Sequence, residues 1–155
     1  MTTLYDNKLE LIRKSFSFLV DDFGCKERSS KLDNWGVQTT FCNSTTGVRV
    51  SYEPREGGYF VLLMRLVNGE VPEHPIDIDD DTVINRYYLE DLLSIREVDH
   101  IKKQFQRITT KQRDEDTINE LANCLKITAE DVLRGDFSVF YELEKIVKDR
   151  ARALR

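Results

Sequence analysis

Glycine and proline are scarce in this 155-residue chain, at 7 and 3 residues, which excludes collagen-like and low-complexity architectures. Cysteine is scarcer still in usable patterns. Cys25, Cys42 and Cys124 are odd in number, widely spaced and without a C-x-x-C pair, so neither a disulfide framework nor a four-ligand zinc site is encoded. A reducing compartment is the expectation. No run approaches the 18 or so consecutive apolar residues of a membrane-spanning helix. The opening stretch, Met1 to Lys8, lacks a basic segment leading into an apolar core, so the expected location is the cytoplasm, without membrane association.

Chemistry-bearing motifs are equally sparse. His74 and His100 are the only histidines and stand in no metal-ligand spacing. There is no nucleophile elbow, phosphate-binding glycine loop or dinucleotide fingerprint, so catalysis has no motif behind it and no cofactor or metal is expected. Excess positive charge is also missing: the formal net charge is −5, which disfavours non-specific attraction to nucleic acid or anionic lipid.

What is present is a well-patterned globular sequence, 40% hydrophobic and 33% charged, of a length that one core can serve. A single domain over residues 1–155 is expected. Tyr5, Leu9, Ile12, Phe16, Leu19 and Phe23 recur at steps of three and four, predicting an N-terminal helix with Thr3 as cap and Gly24 as stop. Leu4, Leu11 and Phe18 widen its apolar arc, so the helix should have more than one neighbour.

From Trp35 the period becomes two. Trp35, Val37, Thr39 and Phe41 share one face of a strand, and Val48, Val50 and Tyr52 share one face of the next, with Arg49, Ser51 and Glu53 on its polar back. Asn43 to Gly47 and Glu56-Gly57-Gly58 supply turns, Asn43-Ser44-Thr45 being turn chemistry rather than a glycosylation acceptor. Tyr59 to Val67 is apolar on both faces except at Arg65 and reads as an inner strand. Asn68-Gly69 is a hairpin signal, after which Ile76 and Ile78 could form a fourth strand, held to an edge by Pro72 and Pro75.

Beyond Asp81 the pattern is helical. Tyr88, Leu89, Leu92 and Leu93 mark one helix, Val98, Ile101 and Phe105 a second, and Ile118, Leu121, Ala122 and Leu125 a third. A short helix opens at Thr128 and is closed by Gly135. A last one starts near Asp136 or Ser138 and carries Phe140, Leu143, Ile146 and Val147. The expected fold is α+β: an N-terminal helix, an antiparallel meander of three to four strands, and a helical C-terminal half.

Three surfaces invite a functional reading. The acidic run Glu70, Glu73, Asp77, Asp79, Asp80 and Asp81 contains no Lys or Arg. The alternation of Asp77, Asp79 and Asp81 is that of a calcium loop, but the turn glycine and distal glutamate are missing, so a solvated partner-facing patch is preferred to a cation site. Tyr87, Tyr88 and Trp35 are candidate aromatic anchors for a protein partner. Lys102, Lys103, Arg107, Lys111 and Arg113 form a basic stretch before a helix pair in which Ala122, Ile127 and Val132 are spaced as in a helix-turn-helix. Against that alternative, Lys126 stands where the turn glycine belongs, and Glu130 and Asp131 would meet phosphates.

The segment Asp131-Val132-Leu133-Arg134-Gly135-Asp136-Phe137-Ser138-Val139-Phe140, continuing through Glu142 to Arg150, resembles the closing segment of small bacterial proteins, some of which resemble immunity-type proteins of contact-dependent toxin systems. The helix end Phe18-Leu19-Val20-Asp21-Asp22-Phe23-Gly24 suits the same group. The resemblance implies a stand-alone bacterial cytoplasmic protein that works by binding another protein, and it carries over no site residues. The leading expectation is therefore a non-enzymatic protein-binding module, immunity-like in its inhibition of a protein partner. A helix-turn-helix regulator comes second, and a metal-dependent hydrolase built around Asp77 to Asp81 third.

Overall fold

The computed structural model describes residues 5–33, 35–55, 58–96 and 114–154. The expected helix from Val98 to Phe105, the basic stretch from Lys102 to Arg113, the Thr3 cap and the Glu56-Gly57 turn lie outside the described residues.

The N-terminal apolar stripe folds as two abutting helices, α1 (Asp6–Ser15) and α2 (Ser17–Phe23), joined at Phe16. Leu9, Ile12, Phe16 and Leu19 are all buried, as the spacing predicts. Gly24 ends α2 in the left-handed conformation, φ 68°. The widened arc has its expected consequence: Leu11 and Phe18 also pack on the core, and α1 touches both the sheet and the helix α4 described below.

Five strands follow in simple sequential order, all antiparallel: β1 (Lys26–Asp33), β2 (Gly36–Cys42), β3 (Thr46–Glu53), β4 (Gly58–Arg65) and β5 (Arg86–Tyr88). The inner face is the one the period-two pattern predicts. Val37, Thr39 and Phe41 of β2 stand opposite Tyr52, Val50 and Val48 of β3, which stand opposite Tyr59, Val61 and Leu63 of β4. β4 is an inner strand with Val61, Leu62, Leu63 and Met64 all buried, so side chains on both its faces are largely out of solvent over that stretch.

Four details depart from the sequence reading. β1 was unexpected because seven of its eight residues, all but Leu32, are exposed and nothing alternates. Trp35 does not join the stripe of Val37. Gly36 takes φ 144° and the Trp35 amide bonds the Asp33 carboxylate at 2.8 Å, which turns the indole out of the strand. Asn68 and Gly69 do form the expected tight turn, both at positive φ, but only the single bridge Val67–Glu70 follows it. Pro72 then withholds the next donor, and Ile76 is 98% exposed in a chain segment without regular structure. Tyr88 belongs to β5, not to a helix.

The helical half comprises α3 (Leu89–Arg96), α4 (Asp114–Thr128), α5 (Glu130–Leu133) and α6 (Phe140–Ala153). Leu92, Ile118, Leu121, Leu125 and Leu143 close the core against the sheet. The Thr128 hydroxyl donates to the Cys124 carbonyl at 2.6 Å instead of capping α5, and Asp131 turns to another partner. Arg96 holds Asp131 in a two-pronged fork, Nη1 to Oδ1 at 2.9 Å and Nη2 to Oδ2 at 2.6 Å, while Nη1 also reaches the Thr128 carbonyl at 2.6 Å.

Burial alone would raise the pKa of Asp131, but the Arg96 hydrogen bonds, the backbone amides and the Arg96 charge together outweigh it and leave the carboxyl below its usual range. A depressed folded-state pKa stabilises above the unfolded value near 4 and ceases to do so as pH falls through the folded one. Asp131→Asn should therefore cost about 1 kcal/mol in urea denaturation at pH 7, and the gap from the natural protein should close towards pH 2. A gap that persists undiminished at pH 2 would show that the ion pair is not the cause.

Candidate functional site

The acidic run does not converge. Asp79 turns the chain on itself, its carboxylate accepting the Asp81 amide at 2.9 Å and the Thr82 hydroxyl at 3.1 Å. Asp80 is spent on α6: its carboxylate takes Arg152 at 2.7 Å and its carbonyl takes the buried Lys148 ammonium at 2.8 Å. Asp77 and Asp81 remain on the exposed side of the loop. Among the described residues no group of three or more His, Cys, Asp or Glu side chains is placed to hold a metal ion. The loop is a partly neutralised acidic surface strapped to a helix.

The two tyrosines part company. Tyr87 is 2% exposed, points into the core and meets Phe140 edge-on at 4.8 Å between ring centroids, so it is a packing residue and not a surface anchor. Tyr88, one residue on, points through the opposite face of the sheet and is 49% exposed. In the helix-turn-helix candidate, Ala122 and Val132 are buried as that motif asks, Ile127 is 64% exposed, and α5 has four residues.

The outer face of the sheet, turned away from the core cluster, carries the surface features that sequence patterning alone leaves unconnected. Register places Thr40, Arg49, Leu62 and Tyr88 in one row across β2 to β5, with Gln38, Ser51 and Phe60 beside it. A groove of about 250 Å³ opens between Phe60 and Tyr88, whose rings stand edge-on at 6.4 Å; Tyr59, Val61, Leu89 and Glu90 complete its walls. A second groove, of about 340 Å³, runs along the β1–β3 end under Trp35, which is 57% exposed and stacked by the Arg55 guanidinium at 3.8 Å. Gln38 and Ser51 line this second groove, and Ser51 is the direct cross-strand partner of Phe60. The two aromatic grooves therefore abut across the β3–β4 pair.

The three cysteines are not activated as nucleophiles. Burial pushes the Cys25 and Cys124 thiols up to about 11, and Cys42 is raised by the same cause, so all three are protonated at neutral pH. Among the described residues no helix is long and apolar enough to cross a membrane. No family model, curated protein or solved structure matches the chain.

Proposed function

We propose that this protein is a non-enzymatic protein-binding module of the immunity type, which seats its partner on the outer face of the sheet. The observation that carries the reading is the pair of abutting grooves, one apolar beside the exposed Tyr88 ring and one lined by polar and charged side chains under the exposed Trp35 ring. Exposed aromatic rings at a groove are what partner side chains bury against in a binding hot spot. Paired strands support the reading: Phe60 and Tyr88 project from them, and Trp35, just before β2, has its amide held by the Asp33 carboxylate. The acidic loop serves encounter. Asp77, Asp79 and Asp81 present negative charge that steers a partner and sets its approach, while the grooves supply affinity.

The test is direct. The product of the gene adjacent to this one is purified with it, and the affinity is measured by calorimetry. Tight binding is expected, weakened by Tyr88→Ala by about 2 kcal/mol or more, roughly thirtyfold, with the variant's melting temperature unchanged. Replacing Asp77, Asp79 and Asp81 by Asn should slow association and flatten its salt dependence. A neighbour product that is not bound, or is bound equally well by the Tyr88 variant, overturns the reading.

A further inference from the structure

The outer face also carries two arginines that hold no carboxylate among the described residues. Arg49 on β3 stands opposite Leu62 of β4, and Arg86 on β5 stands opposite Met64, two residues further along the same face of β4. One strand separates them, so their backbones lie about 10 Å apart in the hydrogen-bonding direction, a gap that two long side chains can close. Both are half-buried. Arg49 donates through Nε to the Thr40 hydroxyl at 3.1 Å, and Arg86 donates through Nη1 to the Pro72 carbonyl at 3.3 Å. Each of these acceptors is neutral. Elsewhere Arg13, Arg96, Arg150 and Arg152 each hold a carboxylate at 2.8 Å or less, and Arg28, Arg55 and Arg65, which hold none among the described residues, are exposed to water, so the pair is set apart by its partial burial.

Burial, first, and then repulsion by Arg49 lower the pKa of Arg86, and burial lowers that of Arg49. Taking a cation out of water without a counter-charge is costly, and the cost is recovered when an anion arrives. The surroundings decide which anion. Tyr88 lies close enough to interact electrostatically with both guanidiniums, and Leu62 and Phe60 border them, so the anion comes attached to something that also covers apolar surface. A chain carrying a net charge of −5 has little general attraction for a nucleic-acid backbone, whereas a single carboxylate among apolar neighbours meets both demands.

We propose that Arg49 and Arg86 form a receiving site for a carboxylate side chain of the partner, so that the segment docking beside Tyr88 is acidic. This rests on the protein-binding reading and adds the chemistry of the docked segment. With one carboxylate between them, the two guanidiniums cease to repel and each gains a charge-assisted hydrogen bond.

The experiment uses the whole protein and three probes: acetylated hexaglutamate amide, the matching hexaglutamine, and inorganic phosphate. Side-chain Nε–Hε resonances of the arginines are followed by NMR. Hexaglutamate should shift the Arg49 and Arg86 signals saturably, hexaglutamine should not, and added salt should weaken the effect. Arg86→Gln and Arg49→Gln should each weaken the peptide at least tenfold while the melting temperature without peptide stays level or rises, since each removes an uncompensated charge. A fall in melting temperature would assign the arginines a structural role and overturn the proposal. So would a stronger response to phosphate than to hexaglutamate, or shifts confined to other arginines. Tyr88→Ala separates the two readings: it should weaken binding of the adjacent-gene product roughly thirtyfold, as above, yet leave the arginine shifts with hexaglutamate in place. Failure of the arginine shifts alone leaves the grooves as a docking surface for a partner that is not acidic.

Discussion

Phe16→Ala is expected to destabilise the protein by about 3 to 5 kcal/mol, measured by urea denaturation, and to lower the melting temperature by about 10 °C. The ring is fully buried at the joint between α1 and α2, where its amide bonds the Ile12 carbonyl at 2.9 Å and its carbonyl accepts the Leu19 amide at 3.0 Å. It is therefore both a core side chain and the pivot that lets two short helices present one continuous stripe to the sheet. Removing it opens a cavity that neither helix can close without moving the other. A loss below about 1 kcal/mol would place Phe16 outside the core and undo the packing described for the N-terminal helices.

Gly36→Ala should be as damaging, by a different mechanism. Gly36 sits at φ 144°, a region that side chains rarely enter, and a Cβ there would run into the carbonyl of Tyr52 on the neighbouring strand. Steric overlap with backbone cannot be relieved by a rotamer change, so β2 and β3 would have to separate where Trp35 leaves the sheet. A cost of about 3 kcal/mol or more is expected, with loss of the near-ultraviolet signal of the single tryptophan even in the fraction that folds. An alanine variant of natural stability and spectrum would show that this turn is not held as described.

Much of this fold is legible in the residues because burial and periodicity coincide. Leu9, Ile12, Phe16 and Leu19 are apolar at helical spacing and all face the core; Val48 and Val50 alternate with Arg49 and Ser51 as a two-faced strand must. Asn43 behaves as turn chemistry predicts, its carboxamide oxygen accepting the amides of Thr45 and Thr46 while its nitrogen ties the turn to the carbonyls of Phe23 and Leu133. β5 was hidden for another reason: three residues are too few to declare a period, and Tyr88 runs directly into the helical Leu89, Leu92 and Leu93.

The outer face was less legible than the core. Arg49 reads in isolation as one polar residue on the back of a strand, and nothing local connects it to Arg86. Only strand register brings the two to either side of β4, and the sole local hint is an arginine beside two tyrosines, Arg86-Tyr87-Tyr88. The acidic run misled in the opposite direction. Its density of charge is conspicuous, yet Asp80 is occupied by Lys148 and Arg152, which lie 68 and 72 residues away and give no sign of it in the local pattern.

The polar strand β1 has a consequence for how the protein behaves in a crowd. A sheet with two open edges offers unpaired backbone groups on which any extended chain can add, which is how cross-β aggregates begin. Here one edge, β5, is three residues long, and the other carries Lys26, Glu27, Arg28 and Lys31 with a register irregularity between Glu27 and Ser29. A newcomer on that edge would have to bury those charges and follow a kinked ladder. The same lack of pattern that conceals β1 from a reader of the sequence thus denies a template to a misfolded neighbour, and leaves the sheet free to show its aromatic face without spreading from its rim.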